Sequence, residues 1–164
     1  MPRHHAFIAL IGLASAIVAC AGNSATESTQ PRLDQLSSSG ASIEISAEGG
    51  FAALSVKHVV HHDDRTYSFS QRHICNATCP ALDSASGTLS TVIVDSMFKA
   101  ALPAAFALKD DYGITRNGAD MMSYVVRVTA GSSTKVIKAD DGTMPPALRQ
   151  IVTGVRQTID AARK

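Results

Sequence analysis

The sequence predicts an α+β domain, an antiparallel sheet from two hairpins packed by two helices. Three observations predict it. Apolar and polar residues alternate with the two-residue period of half-buried strands over 42–46 and again over 122–129. Glycine-containing turns, Gly49-Gly50 and Ala130-Gly131-Ser132-Ser133, follow both runs. Leu148, Ile151, Val152, Val155 and Ile159 recur at the spacing that gathers them on one face of a helix.

Ahead of that domain the chain opens with Met1-Pro2-Arg3-His4-His5 and then runs almost without polarity over residues 6–19. A basic start before an apolar run is the order of a secretory signal. The run is shorter than the roughly 20 apolar residues that cross a bilayer. It ends in Ile17-Val18-Ala19-Cys20, which resembles the lipobox of bacterial lipoproteins. That resemblance implies removal of residues 1–19 as a signal peptide and lipidation of Cys20, with several acyl chains giving durable membrane attachment. Ala21 stands where an aspartate would resemble an inner-membrane retention signal, so the cell outer membrane is the expected destination in a cell that has one. An ordinary export signal that happens to precede a cysteine is the competing reading. Residues 20–41 are rich in Ser, Thr, Gly, Gln and Ala and too poor in apolar groups to offset chain entropy, so they read as a flexible tether. About twenty such residues reach roughly 25 Å. The folded domain is expected over 42–164.

Within it, Ile43 and Ile45 alternate with Ser42, Glu44 and Ser46 as a first strand. Gly49-Gly50 turns the chain, and residues 51–60 form a second, longer strand paired with the first. Residues 63–80 are mostly polar and loop-like, although Tyr67 and Phe69 alternate with serines and suggest a short strand. Leu89, Val92, Ile93, Phe98 and Ala101 fall broadly at helical spacing, with Ser86 as cap and Pro103 as stop. The β-branched Val92-Ile93-Val94 weakens that helix, and its length favours it over a strand. Gly113 and Asn117-Gly118 punctuate the next region. Met122, Tyr124, Val126 and Val128 then face one way along a strand that turns back into residues 134–139. Asp140-Asp141-Gly142 ends the sheet, and Pro145-Pro146 sits in the first turn of the terminal helix, where the missing amide hydrogens have no helical acceptor.

Charge narrows the function. Removing residues 1–19 takes away Arg3 and no acid, which leaves fourteen of the fifteen Lys and Arg against fourteen Asp and Glu. A neutral exported chain lacks the basic footprint that binds phosphate backbones, so no nucleic acid partner is expected. Cys75 and Cys79, in an oxidising compartment, are expected to form a short-loop disulfide. The alternative, a metal site with His73, lacks the fourth ligand a structural zinc usually takes. His58, His61 and His62 with Asp63 and Asp64 also suggest metal binding, but His61 and His62 point to opposite faces of a strand. A solvated, polar strand end is the reading favoured for them. Ser96-Met97-Phe98-Lys99 matches a Ser-x-x-Lys signature without its partner motifs. No nucleophile elbow, phosphate-cradling glycine loop or His-Glu-x-x-His is present. The expectation is a non-enzyme with no catalytic residues, metal or cofactor.

Two stretches point further. One is Glu48-Gly49-Gly50-Phe51-Ala52-Ala53-Leu54. The other runs from Asp111-Tyr112-Gly113-Ile114 through Tyr124-Val125-Val126-Arg127-Val128 to Asp140-Asp141-Gly142-Thr143-Met144-Pro145-Pro146-Ala147-Leu148. Their order and separation resemble the small protein inhibitors of thermolysin-like metalloproteases typified by emfourin, the inhibitor of protealysin. The resemblance spans roughly residues 43–155. It departs from the family at Ala53, where a glycine is usual, in the insert carrying Cys75 and Cys79, and in the lipoprotein signal. The resemblance implies a membrane-tethered inhibitor or binder of a secreted or periplasmic metalloprotease. Gly49, Gly50 and Phe51 are then the contact candidates, with Phe51 entering a cleft that prefers bulky apolar groups just after the scissile bond. Two alternatives stay open: a structural or interaction lipoprotein of the envelope without inhibitory activity, and a Phe51 that turns inward as a core residue.

Overall fold

A computed structural model describes residues 40–74, 81–115 and 120–164. In chain order its elements are β1 (Ser42–Gly49), β2 (Leu54–His61), β3 (Thr66–His73), β4 (Ala81–Thr88), α1 (Thr91–Phe106), β5 (Met122–Ala130), β6 (Ser133–Asp140) and α2 (Pro146–Ala162). The strands form one six-stranded sheet in the order β4-β3-β2-β1-β5-β6, and every neighbouring pair is antiparallel. The fold is α+β, as the sequence predicts, with a larger sheet than two hairpins supply. Residues 63–80, expected as a loop with at most a short strand, contribute the eight-residue β3 and lead into β4.

Both helices cover the same face of the sheet, α1 against β5 and β6 and α2 against β2 and β3. Alternation decides which residues meet them. Ile43, Ile45 and Ala47 of β1 are buried together with Val126 and Val128 of β5, Ile137 of β6 and Val60 of β2. The opposite face carries mainly Ser, Thr and charged side chains with Val59, Val125 and Val136 among them, and Lys57 and Glu44 pair at 3.1 Å across β1 and β2. Ala41, the last residue assigned to the tether, is 1% exposed and belongs to the core.

Helix α2 buries the five residues its spacing marks, Leu148, Ile151, Val152, Val155 and Ile159, with Pro146 in the first turn. Helix α1 departs from expectation at both ends. Ser90, not Ser86, is the N-cap; its Oγ accepts from the Ile93 amide at 3.4 Å, while Ser86 lies in β4 opposite Ser68. Pro103 does not stop the helix. It sits in the last turn, where its missing N–H removes a single helical bond, and its carbonyl accepts from Ala107 at 3.3 Å. The buried face is Val94, Phe98, Ala101, Leu102 and Ala105, and Val92 and Ile93 are exposed. Among the described residues no helix is long and apolar enough to cross a membrane.

Candidate functional site

The β1–β2 turn is built by residues that tolerate left-handed backbone. Gly49 holds φ 120° and Gly50 φ 69°, conformations without steric cost only for glycine. A Cβ on Gly49 would lie 2.6 Å from the Met121 carbonyl oxygen, so this position excludes any side chain twice over. The Ala53 amide donates to the Gly50 carbonyl at 3.0 Å and closes the turn over Phe51 and Ala52. Phe51 is therefore in the turn and not in the second strand, and it is 92% exposed. The core reading of this ring is overturned by the register: Gly49 pairs with Leu54, which leaves 50–53 beyond the sheet.

Neighbouring segments brace this tip from both sides. The Gly50 amide donates to Met121 at 3.2 Å. The Ile74 amide donates to the Ala53 carbonyl at 2.6 Å, and His73 Nδ1 donates to the Ala52 carbonyl at 3.2 Å. Ser55 Oγ donates to Glu48 across the base of the hairpin at 3.3 Å. A bulky apolar ring thus stands in water on a backbone whose polar groups are tied down, the arrangement that lowers the entropy lost on binding. Cys20, Cys75 and Cys79 lie outside the described residues; the chain leaves them at Ile74, beside the turn.

The acidic turn after β6 is a brace. Asp140, 3% exposed, accepts from the Gly142 and Thr143 amides at 2.9 and 2.8 Å, from Thr115 Oγ1 at 3.0 Å and from the Thr115 amide. These donors, the Thr115 amide foremost, hold its carboxyl down at about 2 despite burial. Asp141 accepts from the Met122 amide at 2.9 Å, which carries the brace toward the Phe51 turn.

The histidines separate. His58 is 3% exposed and faces the helices, which corrects the expectation of a solvated strand end. His61 is exposed, and His62 reaches Asp95 of α1 at 3.2 Å with its ring edge-on to Phe98 at 5.1 Å. No group of three metal-ligating side chains occurs among the described residues.

A hollow of about 340 Å³ lies between the sheet and the C-terminal half of α2. Its floor is two cross-strand rows, Phe69–His58–Ile45 and Gln71–Val56–Ala47–Tyr124, and Ala47 in the second row is too small to fill the space under the helix. Arg156, Asp160 and Arg163 of α2 form the opposite wall. Their spacing of four and three residues, next to the buried stripe, is the trace this feature leaves in the sequence. The sheet partners that complete it come from four strands. Burial first, then the positive charge of Arg156, pushes the His58 pKa down to about 4, with Asp160 opposing. Tyr124 is pushed up, by burial and then by the Asp141 carboxylate.

Compared with known proteins, the chain matches no protein-family model and no curated sequence.

Proposed function

We propose that this chain is a lipid-anchored envelope protein whose folded domain inhibits a thermolysin-like metalloprotease by offering the Phe51 turn to its cleft. The observation that carries the reading is the 92% exposure of Phe51 on a turn fixed by Gly49, Gly50 and four backbone or side-chain hydrogen bonds. Burying one such side chain is worth roughly 1.5–3 kcal/mol, enough to anchor a complex when little order has to be created. The resemblance of the 48–54 segment to the emfourin-type turn supplies the class of partner.

The turn stands at one end of the sheet: strand β1 runs from Ser42 to Gly49, roughly 23 Å at about 3.3 Å per residue, and delivers the chain into it.

Titration of a thermolysin-like protease with the 40–164 segment tests the proposal. Stoichiometric loss of activity is expected. Phe51→Ala keeps the fold, with stability within about 0.5 kcal/mol of the parent as for exposed sites, and weakens inhibition at least roughly thirtyfold, the cost of a 2 kcal/mol anchor. Unchanged inhibition by the alanine variant removes Phe51 from the contact surface. Full activity across a panel of such proteases leaves an interaction lipoprotein without inhibitory function.

A further inference from the structure

We propose that the hollow between the sheet and α2 binds a carboxylate carried on a short apolar body, with Arg156 as the group that fixes the carboxylate. Four observations lead there. The volume, about 340 Å³, lies at the small end of the range of about 300–1,000 Å³ typical of ligand sites, which suits a compact ligand and excludes a long chain. The floor is apolar around Ala47, with Val56, Ile45 and Met122 beside it, so an inorganic anion would leave most of the surface uncovered. The ligand therefore needs an apolar body.

Charge fixes its other end. Arg163 is committed within the protein: its guanidinium lies 4.2 Å over the Phe69 ring and bonds Asp83 at 2.7 Å, with Asp160 at 3.8 Å. Arg156 makes no ion pair among the described residues, although it lines the same space. The hollow thus holds one uncompensated guanidinium, and Asp160, its one carboxylate, is already turned toward Arg163. Guanidinium groups bind carboxylates through paired, charge-assisted hydrogen bonds.

His58 supplies the second polar contact. Among the described residues no protein group hydrogen-bonds its ring, yet no enclosed side-chain nitrogen or oxygen lacks a partner. The ring lines the hollow. At neutral pH the ring is uncharged and offers one donor to a ligand oxygen beside the guanidinium.

Isotope-labelled 40–164 segment, which carries every buried core residue from Ala41 to Ile159, is the material for the test. It is titrated with 3-phenylpropanoate, 3-phenylpropanol, 3-phenylpropylamine and inorganic phosphate, with backbone amide shifts as the readout. Saturable shifts at Ala47, Val56 and Tyr124 are expected with the acid, at least tenfold tighter than with the alcohol. Arg156→Gln, a surface change, should bring the acid down to the level of the alcohol, and Ala47→Leu should fill the floor and abolish both. The proposal is overturned when the alcohol, the amine or phosphate binds as tightly as the acid, when Arg156→Gln leaves the preference intact, or when no saturable shift occurs at these amides. N-acetylphenylalanine in a parallel titration separates the two sources of such a group: tighter binding than 3-phenylpropanoate marks a peptide C-terminus, and weaker binding a free acid.

Discussion

Ala53 closes the Phe51 turn with φ 47°, a left-handed conformation that costs an alanine roughly 1–2 kcal/mol and a glycine almost nothing. Ala53→Gly is therefore expected to stabilise the domain, by up to about 1 kcal/mol after the extra chain entropy of glycine is deducted. Denaturant unfolding of the two proteins checks it, and a less stable glycine variant would show that the strain is absent. His58 gives a pH prediction. Its folded pKa of about 4 lies below the ordinary 6.5, so the unfolded chain binds the proton first as acidity rises. Its contribution is fully present above pH 6.5 and is lost as pH falls toward 4, a difference of roughly 3 kcal/mol for a shift of that size. His58→Leu should flatten the stability profile between pH 7 and 4, and a profile as steep as the parent's would show that another group sets the slope. Asp140 acts at a lower pH: its carboxyl is held near 2 against an ordinary 3.8, so its contribution is present above 3.8 and disappears as pH falls through about 2. The diglycine was legible in the sequence because only glycine accepts φ 120° beside a carbonyl oxygen. The burial of His58 was not, because its neighbour on the helix side, Arg156, lies nearly a hundred residues away in the chain.

At the scale of elements, legibility followed how much of a pattern the chain carries by itself. Helix α2 shows its whole buried stripe at helical spacing, and β5 shows four inward residues in alternation. Strand β4, Ala81–Thr88, carries mostly small and polar side chains with little alternation. Pairing with β3 makes it a strand: Gly87 lies opposite Tyr67, and a Cβ there would stand 2.9 Å from the Tyr67 ring. An edge of this kind has few packing contacts of its own. Arg163 supplies one, reaching from the end of α2 to Asp83 of β4 while lying over Phe69 of β3. Arg163→Ala should cost about 1 kcal/mol, since both interactions are partly exposed, and should raise hydrogen exchange in β4 more than in β1. Equal exchange in the two strands after the change would mean that the arginine does not hold the edge. The misplaced start of α1 has the same origin: Ser86 satisfies the cap pattern, but the pairing of β4 with β3 claims it, and the next free serine, Ser90, caps the helix.

On the scale of the whole molecule, β1 lies in the middle of the sheet between β2 and β5. Its last residue opens the Phe51 turn, which is braced by Met121, His73 and Ile74 from either side. The Asp140 brace and the Asp141–Met122 contact tie the β6–α2 junction to the same end of the sheet. The hollow beneath α2 shares Met122 and Leu54 with the base of that hairpin, so both candidate surfaces rest on one set of strands. Under the proposed function the 50–53 turn, and not the other sheet face or the helices, meets the protease. Hydrogen exchange of the 40–164 segment, alone and saturated with an active-site-intact thermolysin-like protease, tests it most directly. Slower exchange confined to the amides of residues 50–54 and their bracing neighbours 73–74 and 121–122 is the expected footprint. Protection centred on α1, α2 or β4, with the turn unchanged, would place the protease on another surface and rule the turn out.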